Sequence, residues 1–123
     1  MEVKIESSGK WLWAEYDNMT VESQNNNYTL HVTGYHGNAG DAFNGDNVNW
    51  QSNGMPFSTP DVDNDQWAGG SCAYIIRCGW WFSWCSTSSL NCVTKGYWYS
   101  TGTESARRIN ASRMMLHCGA MQN

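Results

Sequence analysis

Charge is scarce in this 123-residue sequence: Asp, Glu, Lys and Arg make up 15% of it, and the formal net charge is -4. The seven Lys and Arg are scattered except for Arg107 beside Arg108, so no basic stripe exists to meet phosphates and nucleic acid is excluded as an expected partner. No apolar run approaches the roughly 20 residues of a membrane span. The opening MEVKIESS is too polar for a signal peptide, so the sequence reads as a mature or recombinant form. Helical patterning is also thin, because no stretch repeats apolar residues at three- and four-residue spacing over more than about two turns. Internal repeats, linkers and charge blocks are missing, which makes 1–123 one expected domain of ordinary size. Chemistry is missing as well. No matched acid/base pair, nucleophile constellation or cofactor loop stands out, so no enzyme is expected. Cysteines 72, 78, 85, 92 and 118 lack the paired close spacing that zinc requires.

What the sequence does have is rings and thiols. Aromatics are 14% of residues, with eight Trp, so the core must be built largely from them. Five cysteines together with N-x-S/T sequons at Asn18, Asn27 and Asn110 point to a secreted, glycosylated protein from an oxidising compartment. In YTLHVTGY the residues alternate, with Tyr28, Leu30 and Val32 facing one way and Thr29, His31 and Thr33 the other, which predicts a half-buried antiparallel strand. Between Gly37 and Gly70 the composition turns to Gly, Asn, Asp, Ser and Pro, and loops of that length are usually functional or ligand-held. Beyond it CAYII, GWWFSW, YWYS and SRMMLH read as short strands, the last as a closing strand. STSSLN reads as one helical turn capped by Ser86 or Thr87.

Individual side chains get ordinary roles. Trp80 and Trp81 are expected in the core, and so are Trp11, Trp13, Trp50 and Trp67. Met114, Met115 and Leu116 should fill the core side of the closing strand. His31 on a polar strand face and His36 in a loop should be exposed, and Arg107 with Arg108 should form a solvated turn.

The densest segment is DVDNDQWAGGSCAYIIRCGWWFSWCSTSSLNC, from Asp61 to Cys92. Asp63 and Asp65 alternate in an Asn- and Gly-rich loop, an arrangement that offers several hard oxygens to one calcium ion. Together with GYHGNAGDAF, MPFSTPD, SSLN, AEYDNMTV and RMML, this order resembles the fibrinogen-related domain of ficolins, tachylectins, angiopoietins, tenascins and fibrinogen. The resemblance runs from about Val3 to Leu116 and omits the N-terminal subdomain, so a shortened domain is expected.

The resemblance implies an α+β, mostly β fold: a small twisted antiparallel sheet with long irregular calcium-stabilised loops. It implies structural calcium held by the side chains of Asp63 and Asp65 and the carbonyls of Trp67 and Gly69, with Asp61 ordering the turn. One residue is inserted between Gly69 and Cys72 relative to the common pattern. The resemblance pairs Cys72 with Cys85 and makes the Trp84–Cys85 peptide bond cis, presenting the amides of Cys85 and Ser86 to a ligand carbonyl such as that of an acetyl group. Ile76, Ser86 and an aromatic wall from Tyr97, Trp98 or Tyr99 would complete that pocket. Two departures stand out: an aromatic is usual at Ile76 and a histidine or similar ring at Ser86. Cys78, Cys92 and Cys118 have no counterpart in the pattern. They permit one added bridge, for which Cys78 with Cys92 is one arrangement, with Cys118 then left for an intermolecular bond. Two functions are open on this reading. One is a lectin-like domain for acetylated or other glycans on pathogen surfaces; the other is a protein–protein module that binds a receptor or peptide knob, with homo-oligomers a further expectation.

Overall fold

The computed structural model describes residues 1–45, 47–93, 96–99 and 107–119, and it is mostly β. The first two strands, β1 (Glu2–Ser7) and β2 (Lys10–Val21), form a hairpin with Ser7 opposite Lys10. The two-residue loop between them needs positive φ at both positions, and Ser8 and Gly9 supply φ of 53° and 78°. A single 3₁₀ turn (Gln24–Asn26) leads into β3 (Leu30–Gly37), and β7 (Ala111–Met115) closes on the other side, giving one antiparallel sheet in the order β3-β2-β1-β7. Its inner face carries Val3, Ile5, Ala14, Tyr16, Leu30 and Val32, all buried. Gly37 is required where β3 meets β2: at φ 140° a Cβ there would stand 2.3 Å from the Trp13 carbonyl.

Beyond β3 the chain is irregular to Ser71, as the turn-forming composition predicts, and then makes one short helix, α1 (Cys72–Ile76). Three two-residue strands, β4 (Ser88–Ser89), β5 (Tyr97–Trp98) and β6 (Arg107–Arg108), form a second antiparallel sheet. Phe43, fully buried, joins the two halves. Its ring lies 5.2 Å from Tyr16 on the sheet, 5.9 Å from Trp80 and 5.4 Å from Trp98. Trp80 in turn meets Trp81 at 5.3 Å, and Trp81 meets Phe57 at 5.1 Å, so the core is a chain of edge-on and stacked rings.

Several expectations change. CAYII is the helix rather than a strand, because the Ser71 hydroxyl accepts the Tyr74 N–H and the Asp65 carboxylate accepts the Cys72 N–H; two side-chain caps outweigh β-branched propensity over five residues. STSSLN contributes strand β4 instead of a helical turn, since Ser88 and Ser89 pair with Trp98 and Tyr97. GWWFSW makes only isolated bridges, Trp80 with Ser58 and Ser83 with Cys85. Leu30 and Val32 point inward and His31 and Thr33 outward as expected, but Tyr28 is 48% exposed at φ 56°, one turn short of the strand. His36 lies on β3, exposed, rather than in a loop. Trp80 and Trp81 are core, whereas Trp11, Trp13 and Trp50 are exposed, the first two because positions 11 and 13 fall on the outer face of β2. SRMMLH closes the sheet, yet Met114 and Leu116 are exposed because β7 is an edge with nothing described beyond it. Arg107 and Arg108 are strand residues, with Arg108 exposed. The Arg107 side chain, Ser100 of YWYS and the stretch 120–123 of the expected domain lie outside the described residues.

Candidate binding pocket and acidic loop

The acidic loop is organised by its own side chains. The Thr59 hydroxyl donates to Asp61 at 2.7 Å, which lowers the Asp61 pKa and makes that residue the turn-former expected of it. Asp63 accepts the Asp65 N–H at 3.2 Å, and Asp65 accepts the N–H groups of Trp67 and Cys72, each at 2.8 Å. Burial raises the Asp65 pKa against the pull of those two amides, and the charge of Asp63 pushes it the same way. No Lys, Arg or His pairs with Asp61, Asp63 or Asp65 among the described residues. The Trp67 ring folds over Gly69 and Gly70, and a Cβ on Gly69 would lie 2.8 Å from its Nε1.

Two uncompensated carboxylates among backbone carbonyls are the donor chemistry of a hard divalent cation, so the residues present fit calcium. Asp63 and Asp65 would supply carboxylate oxygens, and the Gly69 carbonyl accepts no hydrogen bond from a described residue. The Trp67 carbonyl already accepts from Gly70 at 3.3 Å, which leaves it one lone pair. Among the described residues no cluster of three or more His, Cys, Asp or Glu side chains converges, so carbonyls and water would have to complete the shell.

Asp65 also ties this loop to the pocket, since Cys72, whose amide it holds, is bonded to Cys85 with Cα atoms 5.2 Å apart. Cys78 bonds Cys92, and Cys118 is free and exposed, so the pairing that the resemblance implies forms beside one of the arrangements left open for the other three cysteines. The segment Ser83–Thr87 docks on Asn49 and Trp50: Trp84 N–H donates to the Asn49 carbonyl at 2.8 Å and Thr87 N–H to the Trp50 carbonyl at 3.0 Å. Between these segments opens a cavity of about 410 Å³ lined by Trp50, Ile76, Cys85, Ser86, Thr87, Tyr97 and Tyr99. None of these side chains is charged.

Within it, the Ser86 hydroxyl donates to the Ser88 carbonyl and lies 3.3 Å from the Tyr97 hydroxyl. Burial raises the Tyr97 pKa, so the phenol stays neutral and available as a donor. The amides of Cys85 and Ser86 donate to no described acceptor. The structure corrects three pocket expectations. The Trp84–Cys85 bond is trans, and the chain reverses instead through the left-handed backbone of Cys85, φ 59°, with the Ser83 N–H donating to the Cys85 carbonyl at 2.8 Å. Trp84 is half exposed and outside the cavity, because its place in the turn directs it to solvent. Trp98 is no wall but a fully buried core ring whose indole N–H donates to the Gly40 carbonyl at 3.0 Å. Sequence reasoning missed Trp50 and Thr87 as lining residues. A Trp inside an Asn- and Gly-rich loop was the available signal for Trp50.

Family membership follows from the sequence itself: the profile described as "Fibrinogen beta and gamma chains, C-terminal globular domain" matches residues 1–114. The chain belongs to this family. Mouse angiopoietin-related protein 6 is 39% identical over 94 residues, 76% of this chain and 18% of that protein. Human fibroleukin is 39% identical over 84 residues, 68% of this chain and 19% of that one. The chain thus spans about a fifth of the length of the curated relatives it matches. Among solved structures, the fibrinogen-like globe domain of human ANGPTL6 superposes with a TM-score of 0.66 at 34% identity, covering 85% of this chain and 43% of the globe. Lamprey fibrin D-dimer complexed with the peptide Gly-His-Arg-Pro-amide gives a TM-score of 0.67 at 30% identity, covering 82% of this chain and 33% of that one. The fibrinogen-like assignment, the mostly β fold and the disulfides expected from sequence are all met.

Outside the pocket, the three sequon asparagines Asn18, Asn27 and Asn110 are all exposed, as an acceptor must be. His31 with Glu22 at 2.8 Å and His36 with Asp17 at 3.2 Å are side-chain hydrogen-bond contacts on the sheet, and among the described residues neither ring touches a hydroxyl or thiol. No described helix is long and apolar enough to cross a membrane.

Proposed function

We propose that this fibrinogen-like chain is a secreted, non-enzymatic recognition domain, calcium-stabilised at Asp63 and Asp65 and lectin-like at the pocket beside Cys85. The ligand is a small uncharged group bearing a carbonyl, of which the N-acetyl group of a glycan is the fitting case. One observation carries this reading: the adjacent amides of Cys85 and Ser86 have no described acceptor, and both residues line a cavity whose side chains are uncharged. A ligand carbonyl satisfies such donors, Ile76 and the Trp50 and Tyr99 rings cover a methyl group, and Tyr97 offers a further hydroxyl. Calcium acts at a distance, fixing Asp65 and through it the amide of Cys72.

The second reading, a protein- or peptide-binding module, is favoured by the peptide complex of the lamprey relative. That peptide carries an arginine, whereas the lining here includes no carboxylate to meet one. The test is retention of the chain on N-acetylated beads in calcium and in chelator, with free N-acetylglucosamine as competitor. Calcium-dependent retention released by the sugar is expected; a folded chain that passes straight through sinks acetyl recognition and leaves the protein-binding reading.

A further inference from the structure

Trp50 sits in a tight turn that is tied to the segment bearing Cys85 and Ser86. The turn is closed by the Trp50 N–H, which donates to the Asn47 carbonyl at 2.9 Å, and by the Asn49 N–H, which donates to the Asn47 side chain at 2.9 Å. Its outward carbonyls take the other segment. The Asn49 oxygen accepts the Trp84 N–H at 2.8 Å and the Ser83 hydroxyl, and the Trp50 oxygen accepts the Thr87 N–H at 3.0 Å. Thr87 then passes the connection on, because its own carbonyl accepts the Tyr99 N–H at 2.8 Å. Trp50 and Tyr99 are thus joined through one residue, and their placement relative to the Cys85 and Ser86 amides is set within segments 47–50, 83–87 and 97–99.

The cavity these segments share is graded in depth. Ser86 is 3% exposed and marks the buried end, whereas Trp50 at 45% and Tyr99 at 42% stand at the rim. Tyr97 and Tyr99 meet edge-on at 5.5 Å, but no aromatic pair among the described residues involves Trp50. An acetamido group held by the two amides is far smaller than the cavity of about 410 Å³, so the group that carries it extends toward the rim. There it meets aromatic rings and no charge. The electron-rich face of an indole suits a partner that presents polarised C–H bonds on one side and keeps its polar groups at its edge, which is the form of a pyranose ring.

We infer that Trp50 is the residue by which this pocket reads a sugar ring. The acetamido carbonyl takes the amides of Cys85 and Ser86, and the pyranose of an N-acetylhexosamine lies across the Trp50 indole with its C–H face on the ring. This inference rests on the acetyl-recognition reading and narrows it, from acetylated compounds in general to N-acetylhexosamines.

The test compares N-acetylglucosamine with N-acetylethanolamine, which carries the same acetamido group on an open chain. Each is titrated in calcium into wild type, Trp50→Leu, which keeps apolar bulk, and Trp50→Phe, which keeps a ring. Chemical shifts of the Cys85 and Ser86 amides and of the Trp50 indole N–H report binding. Wild type is expected to prefer the sugar by about fivefold, Trp50→Leu to lose that preference while holding N-acetylethanolamine within about twofold, and Trp50→Phe to retain most of it. The bonds that dock the turn run through the Trp50 backbone, so unshifted Trp84 and Thr87 amides in the free variants confirm that the turn is intact. A sugar preference that survives in Trp50→Leu, an equal loss for both compounds, or no preference in wild type overturns the inference and leaves acetyl recognition standing. Binding of neither compound to wild type overturns both.

Discussion

Replacing Asp65 with Asn separates two jobs that one carboxylate performs. Asp65 accepts the amides of Trp67 and Cys72, and an asparagine offers one oxygen and turns an NH₂ toward one of those donors. Hydrogen bonds to a charged acceptor contribute about 1.5–3 kcal/mol each, less where water reaches them, as it does at this half-buried residue. One bond lost and one amide left unsatisfied therefore cost about 2 kcal/mol in chelator. For a chain of this length that lowers the melting temperature by roughly 6–10 °C. Calcium adds a second, independent difference. A cation bound to the native state alone stabilises it by about 2.7 kcal/mol at a hundred times its dissociation constant, and Asp65→Asn should gain little of that. The assay is thermal melting of both proteins with calcium and with chelator. A wild-type melt that ignores calcium refutes the metal assignment. A variant that melts with wild type in chelator refutes the claim that Asp65 holds the start of α1.

Three further outcomes are expected. Phe43→Ala removes the ring that touches Tyr16, Trp80 and Trp98 and should cost about 3–5 kcal/mol by denaturant unfolding, a loss under 1 kcal/mol meaning that Phe43 does not join the halves. Cys78→Ser opens a bridge spanning 14 positions and should lower stability by about 3 kcal/mol under oxidising conditions, with no effect once wild type is reduced. Burial raises the pKa of both Tyr16 and Tyr97, so the native state holds these protons more tightly than the unfolded chain; stability is full below the ordinary tyrosine value of 10.0 and falls as pH climbs past it. The part of the tyrosinate absorbance lost in Tyr16→Phe and in Tyr97→Phe should accordingly rise together with unfolding, and its rise ahead of any unfolding would contradict their burial.

The sequence shows the sheet because its signal is local: alternation along Leu30–Thr33 reflects which face meets the core, and SRMMLH reads as the closing strand although Met114 and Leu116 stay exposed. The identity of the short helix was hidden, since the apolar pattern of CAYII suits a strand and the deciding hydrogen bond comes from Asp65, seven residues earlier. Tryptophan placement was hidden for a related reason. Trp13 and Trp80 look alike as residues, but one faces out from β2 and the other stacks on Phe43, and only the assembled fold distinguishes them. The pocket was half legible. Cys85, Ser86, Ile76 and Tyr97 came through the family pattern, whereas Trp50 joins from a loop some 35 positions away through bonds that Ser83, Trp84 and Thr87 make to its neighbourhood.

The same carboxylate bears on how the protein acquires its bridges. Four cysteines can join in three ways, and thiols do not choose by affinity for one another. With the loop from Thr59 to Gly70 closed on itself, Asp65 grips the backbone of Cys72 and the docked turn on Asn49 presents Cys85 to it. In the finished fold the acidic loop thus holds the backbone of one partner of the Cys72–Cys85 bridge, so the same carboxylate that caps α1 also sets where that bridge forms.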